Sequence, residues 1–265
     1  MVKRIISGAV LLVVALVFII AGGPLMIAGL IFFSEVGMYE LNRIFKTEKS
    51  AVGILSYIVC AIYYVNLHFV AVDPMVIVVI YLILLLSIFV LTFPKFHTHQ
   101  IMAAFFGFFY VGVMLSYLYQ TRMLQGGAYI VWLIVLCSSG CDTMAYFVGS
   151  MCGKHKMAPV LSPKKSVEGA VGGVIGAMVL TAIYCVVIKA VLGLDSLPIV
   201  ALVIFTGIGA LISMIGDLAA SAIKRNFEIK DYGNIMPGHG GILDRFDSII
   251  ITAPIIYYLA YYFNV

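Results

Sequence analysis

The sequence predicts an all-α polytopic membrane protein, a bundle of about nine transmembrane helices with a cytoplasmic N-terminus. Three observations carry that expectation. Of 265 residues, 63% are hydrophobic and only 11% are charged, and the mean hydropathy is +1.14. The apolar residues fall in runs long enough to cross a bilayer. The basic residues gather on one side of those runs.

A water-soluble domain carries roughly 45–50% apolar and about 25% charged residues, so this composition excludes a single globule in water. The formal net charge of +4 is modest, and its distribution reads as membrane sidedness, with no nucleic-acid partner. The five cysteines (Cys60, Cys137, Cys141, Cys152, Cys185) form no Cys-x-x-Cys pair and sit mostly in apolar runs, as small hydrophobes do. Cys137 and Cys141 are four apart and can share a helix face, which leaves a metal pair as the competing reading.

A span needs about 20 mostly apolar residues. Such segments fall near 5–21, 23–40, 50–70, 74–93, 100–119, 127–148, 168–190, 197–219 and 247–263. Only Ala21-Gly22-Gly23-Pro24 separates the first two, as a tight hairpin or one re-entrant unit. Lys3-Arg4 ahead of an apolar run ending in Ala-Gly-Gly also has the form of a signal peptide. Eight further spans need no separate export signal, so the run is read as the first span.

Sidedness fixes the direction, because Lys and Arg are enriched in cytoplasmic loops. With the N-terminus inside, the inner ends and loops hold Lys3, Arg4, Arg43, Lys46, Lys49, Lys95, Lys154, Lys156, Lys164, Lys165, Lys224, Arg225, Lys230 and Arg245. Only Arg122 and Lys189 fall outside. A miscounted set of spans would scatter these residues. The runs must be helical, since a bilayer offers no water to satisfy an open backbone. Glycines at four-residue spacing in the seventh segment (Gly169/Gly173, Gly172/Gly176), and Gly207, Gly209 and Gly216 in the eighth, predict close helix packing.

The chain divides into N-terminal transmembrane helices, 1–125, and a C-terminal transmembrane catalytic region, 126–265, with cytoplasmic loops 149–167 and 220–246. The first part is poor in chemistry. Glu35, Glu40, Glu48 and Asp73 lie mostly near segment ends and read as interfacial residues. His97 and His99 occupy a short turn without a nearby acid. The second part holds Asp142, Glu168, Asp217, Glu228, Asp231, Asp244 and Asp247 in or beside its loops. Intramembrane acids cost about 2.5–3.5 kcal/mol each at a helix centre on insertion scales, less toward the membrane edge, and usually mark a pathway or site.

Helical spacing sorts them. Asp217, Ser221 and Lys224, at i, i+4 and i+7, line one face of the eighth helix. Asp244 and Asp247, at i and i+3, share a face from which Arg245 points away, and Asp142 shares one with Tyr146. Like charges so placed repel unless a cation relieves them. Mg²⁺ typically takes one or two carboxylates plus substrate phosphates. On spacing alone, ordinary ion pairs with Arg245 and Arg225 are the alternative. Ser162-Pro163-Lys164-Lys165-Ser166 predicts a helix start, with Ser162 as N-cap and Pro163 in the first helical position. A helix N-terminus and two lysines both favour phosphate, although a lysine pair at this edge also suits lipid headgroups. Pro237-Gly238-His239-Gly240-Gly241 is a glycine-rich turn that lets backbone approach an anion closely. Acids, cations and glycines at one membrane face suit a metal–phosphate site.

These residues carry a resemblance. Ser221-Ala-Ile-Lys224-Arg225, Lys230-Asp231 and Pro237-Gly-His239-Gly240-Gly241-Ile-Leu-Asp244-Arg245-Phe-Asp247 resemble the long signature of the phosphatidate cytidylyltransferases (CDP-diacylglycerol synthases). A second similar block runs from Asp142-Thr143-x-Ala145-Tyr146-x-x-Gly149 through Gly153-Lys154, Pro159 and Ser162-Pro163-Lys164-Lys165-Ser166-x-Glu168-Gly169. The resemblance covers residues 140–248. Ser166 stands where threonine is usual, and Met236 where a branched or aromatic residue is commoner. The resemblance implies that CTP and phosphatidate give CDP-diacylglycerol and pyrophosphate, with Mg²⁺ required and a second cation allowed, in a multipass, homodimeric enzyme of the inner membrane. On it, Asp217, Asp244 and Asp247 are assigned to metal and catalysis, with Asp142 as a further metal ligand. Lys224 and His239 join the catalytic set. Lys164, Lys165, Ser166, Ser221, Arg225, Gly240, Gly241 and Arg245 are assigned to substrate.

Other classes predict different patterns. A CTP-dependent lipid kinase needs the same metal and transfers the γ-phosphoryl group, so product identity separates it. A CDP-alcohol phosphotransferase would show Asp-Gly-x-x-Ala-Arg, which is absent. A transporter predicts acids near mid-membrane and matching halves. No Gly-x-x-x-x-Gly-Lys-Ser/Thr loop occurs.

Overall fold

The structure, a computed structural model, describes residues 15–194, 197–235 and 240–264. Its described residues form eight helices long and apolar enough to cross a membrane: α1 (Gly23–Ile44), α2 (Ala51–Phe69), α3 (Pro74–Leu91), α4 (Thr98–Met123), α5 (Gly127–Cys152), α6 (Val167–Leu192), α7 (Ile199–Asn226) and α8 (Leu243–Phe263). The all-α polytopic expectation holds. The first expected segment is helical over residues 15–21 and otherwise lies outside the described residues. Gly22 (φ 62°) and Gly23 (φ 50°) break it from α1. That left-handed backbone suits only glycine at low cost, and Pro24 restarts the helix.

Local chemistry sets most helix starts. Ser50 Oγ accepts the Gly53 amide at the head of α2. Asp73 Oδ1 accepts the Met75 amide ahead of α3, which opens on Pro74. The His97 amide donates to Gln100 Oε1, and the His97 and His99 rings stack 5.6 Å apart. That pair belongs to the start of α4. Two helices contain π-helical turns, Phe108–Val113 in α4 and Leu136–Gly140 in α5. The second ends two residues before Asp142, and such turns are common at functional positions.

The chain clusters into two compact units, residues 1–119 with 229–246 and residues 120–228 with 247–265. In the first, the core holds Met38, Leu41, Tyr64, Tyr81, Leu85 and Phe108. Buried hydroxyls tie its helices together: Tyr64 donates to the Gly112 carbonyl and pairs with Ser34, and Tyr81 donates to the Ala104 carbonyl and pairs with Ser56.

In the second unit α5, α6 and α7 pack closely. Cys137 and Cys141 are fully buried and free, with Cys141 in a core with Ala177, Ala210 and Met214. They serve as small hydrophobes. A short antiparallel hairpin, β1 (Lys156–Ala158) and β2 (Ser162–Ser166), joins α5 to α6. The expected helix start at Ser162 is therefore corrected: α6 begins at Val167, and Ser166 is its N-cap. A residue before proline is pushed toward extended backbone, and pairing with β1 satisfies the segment that a helix would have left with unpaired amides. Ser166 Oγ accepts the Gly169 amide at 3.1 Å. The Glu168 carboxylate accepts the Lys154 and His155 amides and pairs with the His155 ring. Ser166→Ala is expected to cost about 1 kcal/mol of stability, read as a lower thermal midpoint in detergent, and Ser166→Thr should restore it.

Candidate active site

In the second unit, acids and cations from four elements converge. Asp217, Ser221 and Lys224 all lie on the continuous helix α7, as their spacing predicts. Lys165 on β2 forms an ion pair with Asp217, each side chain about three-quarters buried. Asp247 on α8 is 7% exposed. Its Oδ1 accepts the Ser248 amide at 2.7 Å. The charges of Asp217, Lys224 and Asp142 all act on the Asp247 carboxylate. Gly216 makes this approach feasible, because a Cβ there would lie 2.9 Å from the Asp247 carbonyl oxygen. The glycine immediately before Asp217 thus sets how closely α7 meets Asp247.

Asp142 reaches the same group from α5, whose Met144, Ala145 and Val148 pack on the glycine strip of α6. A Cβ would lie 2.9 Å from the Ala145 Cβ at Gly173 and 2.6 Å from the Val148 Cβ at Gly172. Asp142 and Tyr146 are both exposed. Lys164 and Arg225 are exposed, while Ser221 and Lys224 are half-buried.

The first unit contains Asp244 and the turn that leads to it. Asp244 Oδ2 accepts the Tyr232 amide at 2.8 Å and the Gly241 amide at 2.9 Å. Gly240 has φ 83°, and a Cβ on it would lie 2.8 Å from Asp244 Oδ2 and 3.2 Å from Asp231 Oδ1. Arg245 is exposed. Met236, Pro237, Gly238 and His239 lie outside the described residues.

The N-terminal helices contribute a group that sequence reasoning treated as interfacial. Glu40, 1% exposed, accepts the Ile242 and Leu243 amides at 3.1 and 2.9 Å. Arg43, one turn further, donates to the Tyr232 carbonyl at 3.0 Å. The available signal was Glu40 three residues before Arg43 at the end of an apolar run. That spacing cannot say what the pair meets.

Among the described residues no three His, Cys, Asp or Glu side chains are close enough to hold a metal together. The donor chemistry of Asp142, Asp217 and Asp247 nevertheless suits a hard cation. All are carboxylates, and Asp217 already holds a cation in Lys165.

A sequence profile of the cytidylyltransferase family matches residues 2–263. The chain is 33% identical to the phosphatidate cytidylyltransferase of Bacillus subtilis strain 168 over 271 residues, 99% of this chain and 98% of the relative. It is 41% identical to that of Staphylococcus saprophyticus over 149 residues, 56% of this chain and 54% of the relative. The corresponding Staphylococcus aureus strain COL protein is 40% identical over the same length, with the same coverage.

Proposed function

The chain belongs to the cytidylyltransferase family, and we infer that it is a phosphatidate cytidylyltransferase. It transfers CMP from CTP to phosphatidate, giving CDP-diacylglycerol and pyrophosphate. The observation that supports the site assignment is the Lys165–Asp217 ion pair in the same unit as the buried Asp247, whose carboxylate lies within electrostatic reach of Asp217, Lys224 and Asp142.

The chemistry asks little of a general base. A phosphate monoester is largely dianionic near neutral pH, with a second pKa of about 6. Its oxygen attacks the α-phosphorus of CTP, the new P–O bond forms, and the bond from the α-phosphorus to the bridging oxygen breaks. Pyrophosphate leaves with that electron pair. The main barrier is bringing two anions together and stabilising charge at the reacting phosphates.

Lys164, Lys165, Lys224 and Arg225 bind the phosphates of the two substrates, and Asp217 holds the Lys165 ammonium in place. Ser166, Ser221 and Arg245 complete the substrate contacts. His239, Gly240 and Gly241 are assigned to the substrate phosphates. Asp142, Asp217 and Asp247 of the second unit, and separately Asp244 of the first, are the carboxylates that would serve Mg²⁺ or a second cation, which takes one or two carboxylates together with substrate phosphates. Bound there, Mg²⁺ supplies charge stabilisation to the phosphoryl oxygens.

The one-sided distribution of Lys and Arg supports an inner-membrane protein whose active face is cytoplasmic. We assign it as a homodimer among membrane lipids. Purified protein in detergent, given CTP, phosphatidate and Mg²⁺, is expected to release one pyrophosphate for each CDP-lipid formed. A folded preparation that makes neither product overturns the reading. Formation of CDP with a phosphorylated lipid alcohol would identify a kinase instead.

A further inference from the structure

The first four amides of a helix lack intrahelical partners, and a Ser, Thr, Asp or Asn just before the helix usually serves them. At the head of α8 the chain has Gly241-Ile242 instead. The acceptor comes from Glu40, 202 residues before Ile242. Its two oxygens take the Ile242 and Leu243 amides separately. Beside it, Arg43 holds the Tyr232 carbonyl, and the Tyr232 amide holds Asp244 Oδ2.

Two glycines answer to the same carboxylate. A Cβ at Gly233 or at Gly241 would collide with Glu40. Gly233 and Gly241 therefore both lie directly against this side chain. Glu40 also lies within electrostatic reach of Asp244. For stability alone, a second buried negative charge beside Asp244 is a poor choice. A neutral local cap would serve the helix without it.

Building on the reading of Asp244 as part of the transfer site, we propose that Glu40 is a positioning residue for cytidylyl transfer. Its buried carboxylate holds the Gly240–Leu243 turn and so sets where Asp244 stands. It acts through Asp244. In Glu40→Gln the amide keeps one acceptor oxygen and turns an N–H donor group toward the other backbone amide.

The test uses purified full-length protein in detergent. Amide hydrogen exchange, thermal midpoint and the kinetics of CDP-lipid formation are compared for wild type, Glu40→Gln, Gly233→Ala and Asp244→Ala. Glu40→Gln should speed exchange at Ile242 and Leu243 while protection elsewhere holds. It should lower kcat by about 10–100-fold, the range typical of residues that orient a ligand, with a smaller change in KM for CTP. Gly233→Ala should move both readouts in the same direction, and it carries the test if Glu40→Gln does not fold. Unchanged exchange at these amides overturns the inference, as does kcat falling only with the folded fraction. Loss of turnover in Asp244→Ala with full turnover in Glu40→Gln overturns the Glu40 inference alone. Full turnover in Asp244→Ala overturns it together with the role of Asp244, and wild type that makes no CDP-lipid overturns the reading of function.

Discussion

Turnover in Asp247→Asn is expected to fall by about 10²–10³-fold or more, the scale of losing one electrostatic stabiliser of a transition state, while the folded protein loses no stability. Asparagine keeps an oxygen for the Ser248 amide that Asp247 Oδ1 now accepts. It also removes one negative charge from a group in which Asp217 and Asp142 act on Asp247, with Lys224 as the opposing cation. A site built for stability would not bury Asp247 within electrostatic reach of two further carboxylates. Thermal unfolding in detergent and initial rates of CDP-lipid formation check the two halves of the expectation. A purely structural Asp247 would lower both readouts together. Near-normal Mg²⁺-dependent turnover in the variant would remove Asp247 from the reacting centre.

Gly173→Leu is expected to be the most destabilising of the helix-packing changes. A Cβ at Gly173 would sit 2.9 Å from both the Ala145 Cβ and the Cys141 carbonyl, and 3.1 Å from Cys141 Sγ. That wall is a backbone carbonyl and two short side chains, none of which can swing aside as a long side chain does. Enlarging a packed position costs about 1–3 kcal/mol, and more where nothing yields. Neighbours on the same strip are as tight: a Cβ at Gly169 would meet the Ala145 carbonyl at 2.8 Å, and one at Gly176 the Met144 Cβ at 2.6 Å. Because α5 carries Asp142, the displaced helix should lower turnover as well as the thermal midpoint. Ile175→Leu, at an exposed position of the same helix, should leave both near wild type. An unchanged midpoint in Gly173→Leu would show that α5 and α6 are not held by this contact.

The local grammar of the chain was legible before any coordinates. Asp217, Ser221 and Lys224 share a helix because their spacing is that of a helix, whereas Asp73, read as interfacial, turns out to cap α3 through the Met75 amide. The Gly169–Gly176 strip packs closely, as small residues at four-residue spacing do. The N-cap of α6 was misplaced by four residues. Ser162 and Ser166 are both competent caps, and only the pairing of β2 with β1 removes the first from the competition. The resemblance, too, rested on residues near one another in sequence.

Composition, span length and charge sidedness by themselves determined the membrane class, the helical architecture and the part of the chain rich in phosphate chemistry. Each depends on hydration and on the 3.6-residue period, which act within a segment. Only the tertiary structure decided that Lys165 pairs with Asp217, that Asp142 lies within electrostatic reach of Asp247, and that Glu40 serves the head of α8. In a membrane, lipid-facing and buried positions are almost equally apolar, so the pattern of hydrophobic residues does not tell one helix which neighbour it will touch. Glu40 and Leu243 are joined by packing across nearly the whole length of the chain. No spacing within either segment records that contact.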